Sequence, residues 1–194
     1  MGGVELRTGR LVLRAWREED LGPWAEMNAD PEIRRHLGEL LSRAESDATV
    51  ARMREEFAAR GYGWWAVESR ETGEFLGRAG LDRVGEGLPY GGVDVGWRLK
   101  RDAWGYGYAT EAGRACLEFG FGVLGLSEIV ASTTVRNLRS QAVMRRLGMT
   151  RDPADDFEDP SAPEGPLKAC VLHRMRRERW EALRSNLAES IEIR

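Results

Sequence analysis

The stretch 93–124, VDVGWRLKRDAWGYGYATEAGRACLEFGFGVL, constrains this chain most. It opens as a strand. Val93, Val95, Trp97 and Leu99 alternate with Asp94, Gly96 and Arg98, the two-residue period of a sheet. A turn follows, WGYGYA, with Gly105 and Gly107 set among aromatics. The spacing of Ala112, Ala115, Cys116 and Phe119 then predicts a helix over 110–121. Strand, glycine turn and helix start together make an anion site. The glycines admit unusual torsions and a close ligand, and the free amides and dipole of the helix start favour negative charge.

Two familiar glycine turns do not fit. A P-loop needs Lys followed by Ser or Thr after its second glycine, and neither is present. A dinucleotide-binding turn needs a third glycine where Thr110 stands. Glu128 falls near the distance of a ribose-binding acid, but strand-like runs precede the whole unit. Taken alone, the turn also reads as an ordinary strand–turn–helix.

The remainder narrows the class. The length of 194 residues suits one domain, 1–194, with ample core. Net charge is −3, which leaves no nucleic-acid footprint. No apolar run reaches membrane length and no secretory signal opens the chain, so a cytoplasmic protein is the default expectation. Cys116 and Cys170 form neither a disulfide framework nor zinc spacing, and Cys116 reads as a buried free thiol; no metal is expected.

In chain order, 6–15 reads as a first strand, Asp20 as a helix N-cap, Pro31 as a break and 44–60 as a helix ended by Gly61. The stretches 64–69 and 75–82 read as strands joined at Gly73, with Trp64 and Trp65 on opposite faces. A strand over 126–135 leads to a second helix beginning at Asn137. After Gly148, Asp152, Asp155, Asp156, Glu158, Asp159 and Glu164 crowd a proline-rich stretch. It reads either as a solvated loop or as an acidic rim that attracts cations. A strand over 168–175 contains His173, expected to pack or bond locally. From about 176 to the end the pattern predicts an amphipathic helix with Trp180, Leu183 and Leu187 on one stripe. That stripe packs on the domain or on another subunit, as in a homodimer. The element pattern is that of a mixed α/β layer fold.

WGYGYATEA followed by NLRSQAVMRRLGM resembles the GNAT acyltransferases, and within them the branch of RimJ/RimL-type ribosomal-protein N-acetyltransferases. GRLVLRAWREED and GEFLGRAGL are similar to that branch too, so the resemblance covers roughly 7–175. It implies a mostly antiparallel central sheet with splayed middle strands, flanked by helices, with acetyl-coenzyme A in the gap. The backbone of Trp97, Arg98, Leu99 and Lys100 would pair with the pantetheine arm as an added strand. Amides from Gly105 through Tyr106, Gly107, Tyr108 and Ala109 to Thr110 would hold the pyrophosphate. Trp104 stands where the general family motif opens with Gln or Arg. Asn137 matches the family's cofactor-side Asn and Ser140 the branch's Ser. Many members carry a Tyr seven residues after the Asn, where this chain has Met144.

The implied chemistry is direct acyl transfer to an amine, either a peptide N-terminus or a small molecule. The amine must lose a proton before it attacks. Asp94 is the candidate base, where some members carry Glu; it reads equally as a structural carboxylate paired with Arg98. An amide near Trp97 or Arg98 would hold the developing oxyanion. Ser140 would serve the departing thiolate. His36 reads as a surface or capping residue that could also face the acceptor cleft. The alternative from another class is a coenzyme A-binding sensor or scaffold without turnover.

Overall fold

The computed structural model describes residues 4–184 and 191–194. Its elements in chain order are β1 (Leu6–Arg7), β2 (Leu11–Arg14), α1 (Leu21–Ala29), α2 (Pro31–Arg34), α3 (Arg43–Arg60), β3 (Trp64–Ser69), β4 (Phe75–Arg83) and β5 (Val93–Leu99). There follow α4 (Tyr108–Gly122), β6 (Glu128–Thr134), α5 (Leu138–Arg146), β7 (Thr150–Arg151), β8 (Phe157–Glu158), β9 (Ala169–Arg176), α6 (Arg177–Arg184) and β10 (Glu192–Ile193). The strands form one sheet in the order β10-β1-β2-β3-β4-β5-β6-β9-β7, with β8 also paired to β9. Every described pairing is antiparallel except β5 with β6, which run parallel and meet at a single pair, Asp94 with Val130. The sheet therefore splays in its middle.

Side-chain alternation divides the core between the two faces. One face buries Leu11, Leu13, Trp65, Leu81 and Val95 against α4, with Cys116 and Phe119 at the centre. Gly120 lets α4 lie close, since a Cβ there would stand 2.5 Å from Cδ1 of Ile129. The other face carries Trp16, Trp24, Met27, Ile33, Val50 and Met53 around α1–α3. The start of α3 is closed by reciprocal bonds of Ser42 and Glu45, and its end by Gly61 at φ 77°.

Three readings of the sequence change. The stretch 6–15 is two strands, because the Thr8 hydroxyl accepts from Leu11 N and donates to Glu111, folding the chain into a hairpin. Asp20 stands at the start of α1 without capping it. Its carboxylate instead takes two bonds from the Arg14 guanidinium, at 2.7 and 2.9 Å, and one from Arg17 N. The terminal helix does not run to the end of the chain, because Glu192 and Ile193 pair with Arg7 and Leu6 and cover the edge of β1. Trp180 of α6 is buried and stacks on Phe121 at 5.9 Å, so that part of the stripe packs on the same chain; Leu187 lies outside the described residues.

Arg14 joins three elements. It reaches Asp20 ahead of α1 and Glu68 on β3, and both Arg14 and Asp20 are almost fully covered. This tie holds α1 against the sheet. Arg14→Ala should lower the unfolding free energy by about 3–5 kcal/mol, the cost of leaving a buried charge without its partner. Urea denaturation measures it, and a loss of about 1 kcal/mol or less, the worth of an exposed pair, would contradict the assignment.

Candidate active site

The gap between β5 and β6 is the centre of the site. Lys100 N donates to Leu76 O, which sets the phase of the β4–β5 ladder. Backbone directions alternate along an antiparallel strand, so Arg98 and Lys100 turn their backbone toward β4. Trp97 and Leu99 turn theirs toward β6. Leu99 O accepts from Trp104 Nε1 at 2.9 Å, which leaves the Trp97 backbone facing the open part of the gap. The Trp97 side chain lies on the opposite face against Gly113 of α4. The Lys100 side chain pairs with Glu74, away from the gap.

At the end of β5 the chain turns through Gly105 and Gly107, both at positive φ (86° and 82°), into α4. Gly107 is the residue before the helix, and Glu111 N is the first amide bonded back to its carbonyl. The preceding amides of Tyr108, Ala109 and Thr110 belong to the first turn and point out of the helix start. Tyr106 and Tyr108 stack at 5.8 Å, and the Arg10 guanidinium lies 4.7 Å from the Tyr108 ring centre. Arg10 also donates to Tyr106 O and pairs with Glu111, so the N-terminal hairpin braces the turn. No spacing in the sequence linked Arg10 to this turn, because the two are joined only by the fold.

The opposite wall is the start of α5. Asn137 Oδ1 accepts from Ser140 N at 3.2 Å and caps the helix, while its Nδ2 donates to Thr133 on β6. Asn137 thereby locks the helix start to the strand end. Ser140 is half-buried in the first turn. Arg139 lies 4.5 Å from the Trp104 ring centre and brings this wall against the glycine turn. Met144, at the position of the missing Tyr, is a core residue.

Asp94 sits where the two strands part. Asp94, Gly96 and Arg98 face α1–α3, and the cleft there is lined also by Trp24, Trp64 and Arg78. Asp94 is not paired with Arg98, whose Nη1 donates to Asn28 Oδ1 at 2.7 Å. Burial pushes the Asp94 carboxyl up to about 8; the Ser132 amide opposes this, Asp82 adds to it and Arg78 opposes it. Its Oδ1 is buried without a hydrogen-bond partner. A carboxyl of this kind accepts a proton in the neutral range. His36 reaches the cleft, with Nδ1 3.3 Å from the Thr134 hydroxyl, and burial holds its pKa below the usual value. Tyr90, not singled out in the sequence, donates to Ser132 at 2.8 Å and packs edge-on against Phe157. Asp94 and Ser140 thus occupy different depths of one gap, the first at its apex and the second beyond the end of β6.

The acidic stretch is in part neutralised by its own neighbours. Asp155 pairs with Arg174, Asp156 with Arg151 and Glu164 with Lys168. Asp152 and Asp159 bond neighbouring amides. Phe157 does border the cleft through Tyr90, but the charges behind it are largely spent on local partners. His173 is buried in β9.

Comparison with known proteins agrees with this architecture. Residues 10–150 match the model of the acetyltransferase (GNAT) domain. The Bacillus subtilis (strain 168) protein YkkB is 29% identical over 148 residues, 75% of this chain and 85% of that protein. The Aspergillus fumigatus FsC-acetyl coenzyme A-N(2)-transacetylase is 30% identical over 118 residues, 61% of this chain and 46% of the relative. Among solved structures, the acetyltransferase from Agrobacterium tumefaciens strain C58 is 27% identical with TM-score 0.71, covering 89% of this chain and 94% of its own. The chain belongs to the GNAT acetyltransferase family, and its mixed α/β sheet is the fold of that family.

The raised Asp94 carboxyl has a consequence for stability. In the unfolded chain the residue loses its proton near pH 4, whereas the folded protein keeps it to about pH 8. Between those values the folded state binds the extra proton, so stability falls as pH rises. Asp94→Asn removes the effect. Its urea midpoint relative to the parent should be higher at pH 9 than at pH 4. An equal difference at both pH values would contradict the buried, proton-holding state.

Proposed function

We propose that this GNAT family member transfers an acetyl group from acetyl-coenzyme A directly to a primary amine, with the RimJ/RimL-type enzymes as the branch its motifs resemble. We read the chain as one catalytic domain. The observation that carries the proposal is the splayed gap. It joins an open backbone at Trp97 and a glycine turn before α4 to the capped start of α5.

These residues suit coenzyme A. The backbone of Trp97 would pair with the pantetheine amides, as a strand pairs with a sheet edge. The amides of 105–110, at the positive end of α4, suit a pyrophosphate, and a side chain at Gly107 would be strained at its φ of 82°. The name of the Aspergillus relative carries the same donor. When bound, acetyl-coenzyme A supplies an activated acyl thioester.

This chain's residues then have three tasks. Asp94 takes a proton from the acceptor ammonium, directly or through water, so that the nitrogen can attack. The Trp97 amide, fixed by the ladder, holds the negative charge that develops on the acyl oxygen. The Ser140 hydroxyl hydrogen-bonds the leaving sulfur and passes it a proton. Neither buried cysteine is needed, since transfer is direct. Burial raises Cys116 far above the range of a reactive thiol.

A thiol-release assay with acetyl-coenzyme A and an amine panel tests the reading. The parent should turn over at least one amine, with kcat/KM rising through an apparent pKa near that of Asp94, about 8. Asp94→Asn should lower kcat on the order of 10²–10⁴-fold and remove that limb. Ser140→Ala should lower kcat with coenzyme A affinity nearly unchanged. A protein that binds coenzyme A but releases no thiol with any amine would instead be a sensor or scaffold.

A further inference from the structure

The cleft on the α1–α3 face holds positive charge that nothing in the mechanism uses. Arg78 and Arg98 are direct register partners on β4 and β5, so their side chains rise side by side from one face. Trp24 of α1 packs over both, with its ring centre 5.4 Å from the Arg78 Cζ and 5.0 Å from that of Arg98. Arg78 also lies over Trp64 at 4.0 Å and reaches Met53 Sδ at 3.1 Å. Arg98 donates to Asn28. Among the described residues no carboxylate forms an ion pair with either guanidinium. The nearby Asp82 is already held by Arg60 at 2.8 Å and by Trp64 Nε1 at 3.0 Å.

Several polar atoms here lack partners. The Nε of Arg78, the Nε of Arg98, Nδ2 of the fully buried Asn28 and Oδ1 of Asp94 are all enclosed without a hydrogen bond. A third guanidinium, Arg34, adds its field to both arginines while its own bonds go to the carbonyls of Leu37 and Glu39. Like charges placed directly across a ladder are unfavourable, and so are enclosed donors without acceptors. An anion between the guanidiniums would remove both penalties. Both side chains stay partly open to solvent, so a solute can reach them.

We propose that the acceptor carries a carboxylate close to its amine, as an amino acid does, and that Arg78 and Arg98 hold this carboxylate while the amine lies at Asp94. The identification of the amine rests on the acyl-transfer reading above; that of the carboxylate rests on the cleft alone. The spacing fits. Trp64 covers Gly96, where a Cβ would stand 2.7 Å from its ring, and Gly96 lies midway between Asp94 and Arg98. Arg78 stacks on that ring, four register pairs along the ladder from Asp94, and its charge acts on the Asp94 carboxyl. The planar guanidinium fork matches a carboxylate, which accepts two parallel bonds. Burial brings Arg78 down to about 10, with Asp82 and Asp94 opposing and Arg34 and Arg52 adding, so it remains charged at neutral pH. Asp155, Asp156 and Glu164 of the acidic stretch are already paired with basic side chains, which weakens its pull on a purely cationic acceptor.

Matched amines test the proposal. Thiol release is measured for α-amino acids and short ω-amino acids against their carboxamides, with aminoalkyl phosphates and spermidine alongside. Calorimetry measures binding of the same compounds to protein saturated with coenzyme A. The acid of at least one pair should exceed its amide in kcat/KM by on the order of 10²-fold, because the amide leaves the guanidiniums without an anion. Arg78→Gln should collapse that ratio toward unity. Arg78→Lys, which keeps the charge but loses the fork, should reduce it in part and serves if the Gln variant does not fold. Carboxamides or spermidine used as well as the acids, or a ratio unchanged in both variants, would overturn the carboxylate assignment and leave acyl transfer standing. A preference for aminoalkyl phosphates over every amino acid would overturn it too. Amino acids that bind in an Arg78-dependent way without thiol release would support the anion site and refute acyl transfer. Absence of both binding and release would overturn the proposal.

Discussion

The structure depends on one departure from regular pairing. β5 and β6 run side by side in parallel but are in strand register at a single pair, Asp94 with Val130. An ordinary sheet would use every backbone group along both edges. Here the ladder with β4 fixes β5 rigidly on its other side, so the strand can part from β6 without losing its place. The parting leaves polar backbone beside a glycine turn and a helix start. These are the groups an extended, amide-bearing cofactor with a pyrophosphate would satisfy. Asn137 keeps the far wall in place by bonding strand end and helix start together.

The two faces of the sheet divide the labour. The α4 face is almost wholly apolar and holds the sheet flat against its helix. The other face is polar at its centre and closed at its margins. Arg14 there is satisfied by Asp20 and Glu68 and serves as a structural tie. Arg78 and Arg98, two and three strands away on the same face, have no such acids among the described residues. The contrast separates a structural charge from one left for a ligand, since burying a guanidinium without an acceptor is costly. Trp24 and Trp64 hold the unpaired guanidiniums by their ring faces, an interaction that positions a cation without neutralising it.

Much of this was legible in the chain. The alternation in 93–99, the turn at Gly105 and Gly107 and the helix start at Asn137 depend on neighbours a few residues away, and the structure has each of them. The helix ended by Gly61 and the Trp64–Trp65 division are local in the same sense. What escaped depends on side-chain pairings that periodicity does not reveal. The Asp20 carboxylate was lost as a cap to Arg14, a buried competitor of opposite charge. Ile193 carried a helical pattern but met the open edge of β1. Arg10 reached the glycine turn from the N-terminal hairpin, and Tyr90 reached Ser132 from the connection between β4 and β5. The acidic run read either as a solvated loop or as a rim that attracts cations; Arg151 and Lys168 pair with acids close by in the sequence, and Arg174 reaches Asp155 from β9. The pairing of Arg78 with Arg98 is a matter of strand register, which no single-strand pattern reveals.

The central claim is that the open backbone of β5 and the start of α4 bind one ligand together. Amide hydrogen exchange with and without coenzyme A measures this at the residues concerned. The account predicts that saturating coenzyme A slows exchange at Trp97 and at the amides of Tyr108, Ala109 and Thr110. The amides already held in the β3–β4 ladder should change little. Tight binding by calorimetry with unaltered exchange at Trp97 and at the helix start would contradict it, for the cofactor would then lie elsewhere.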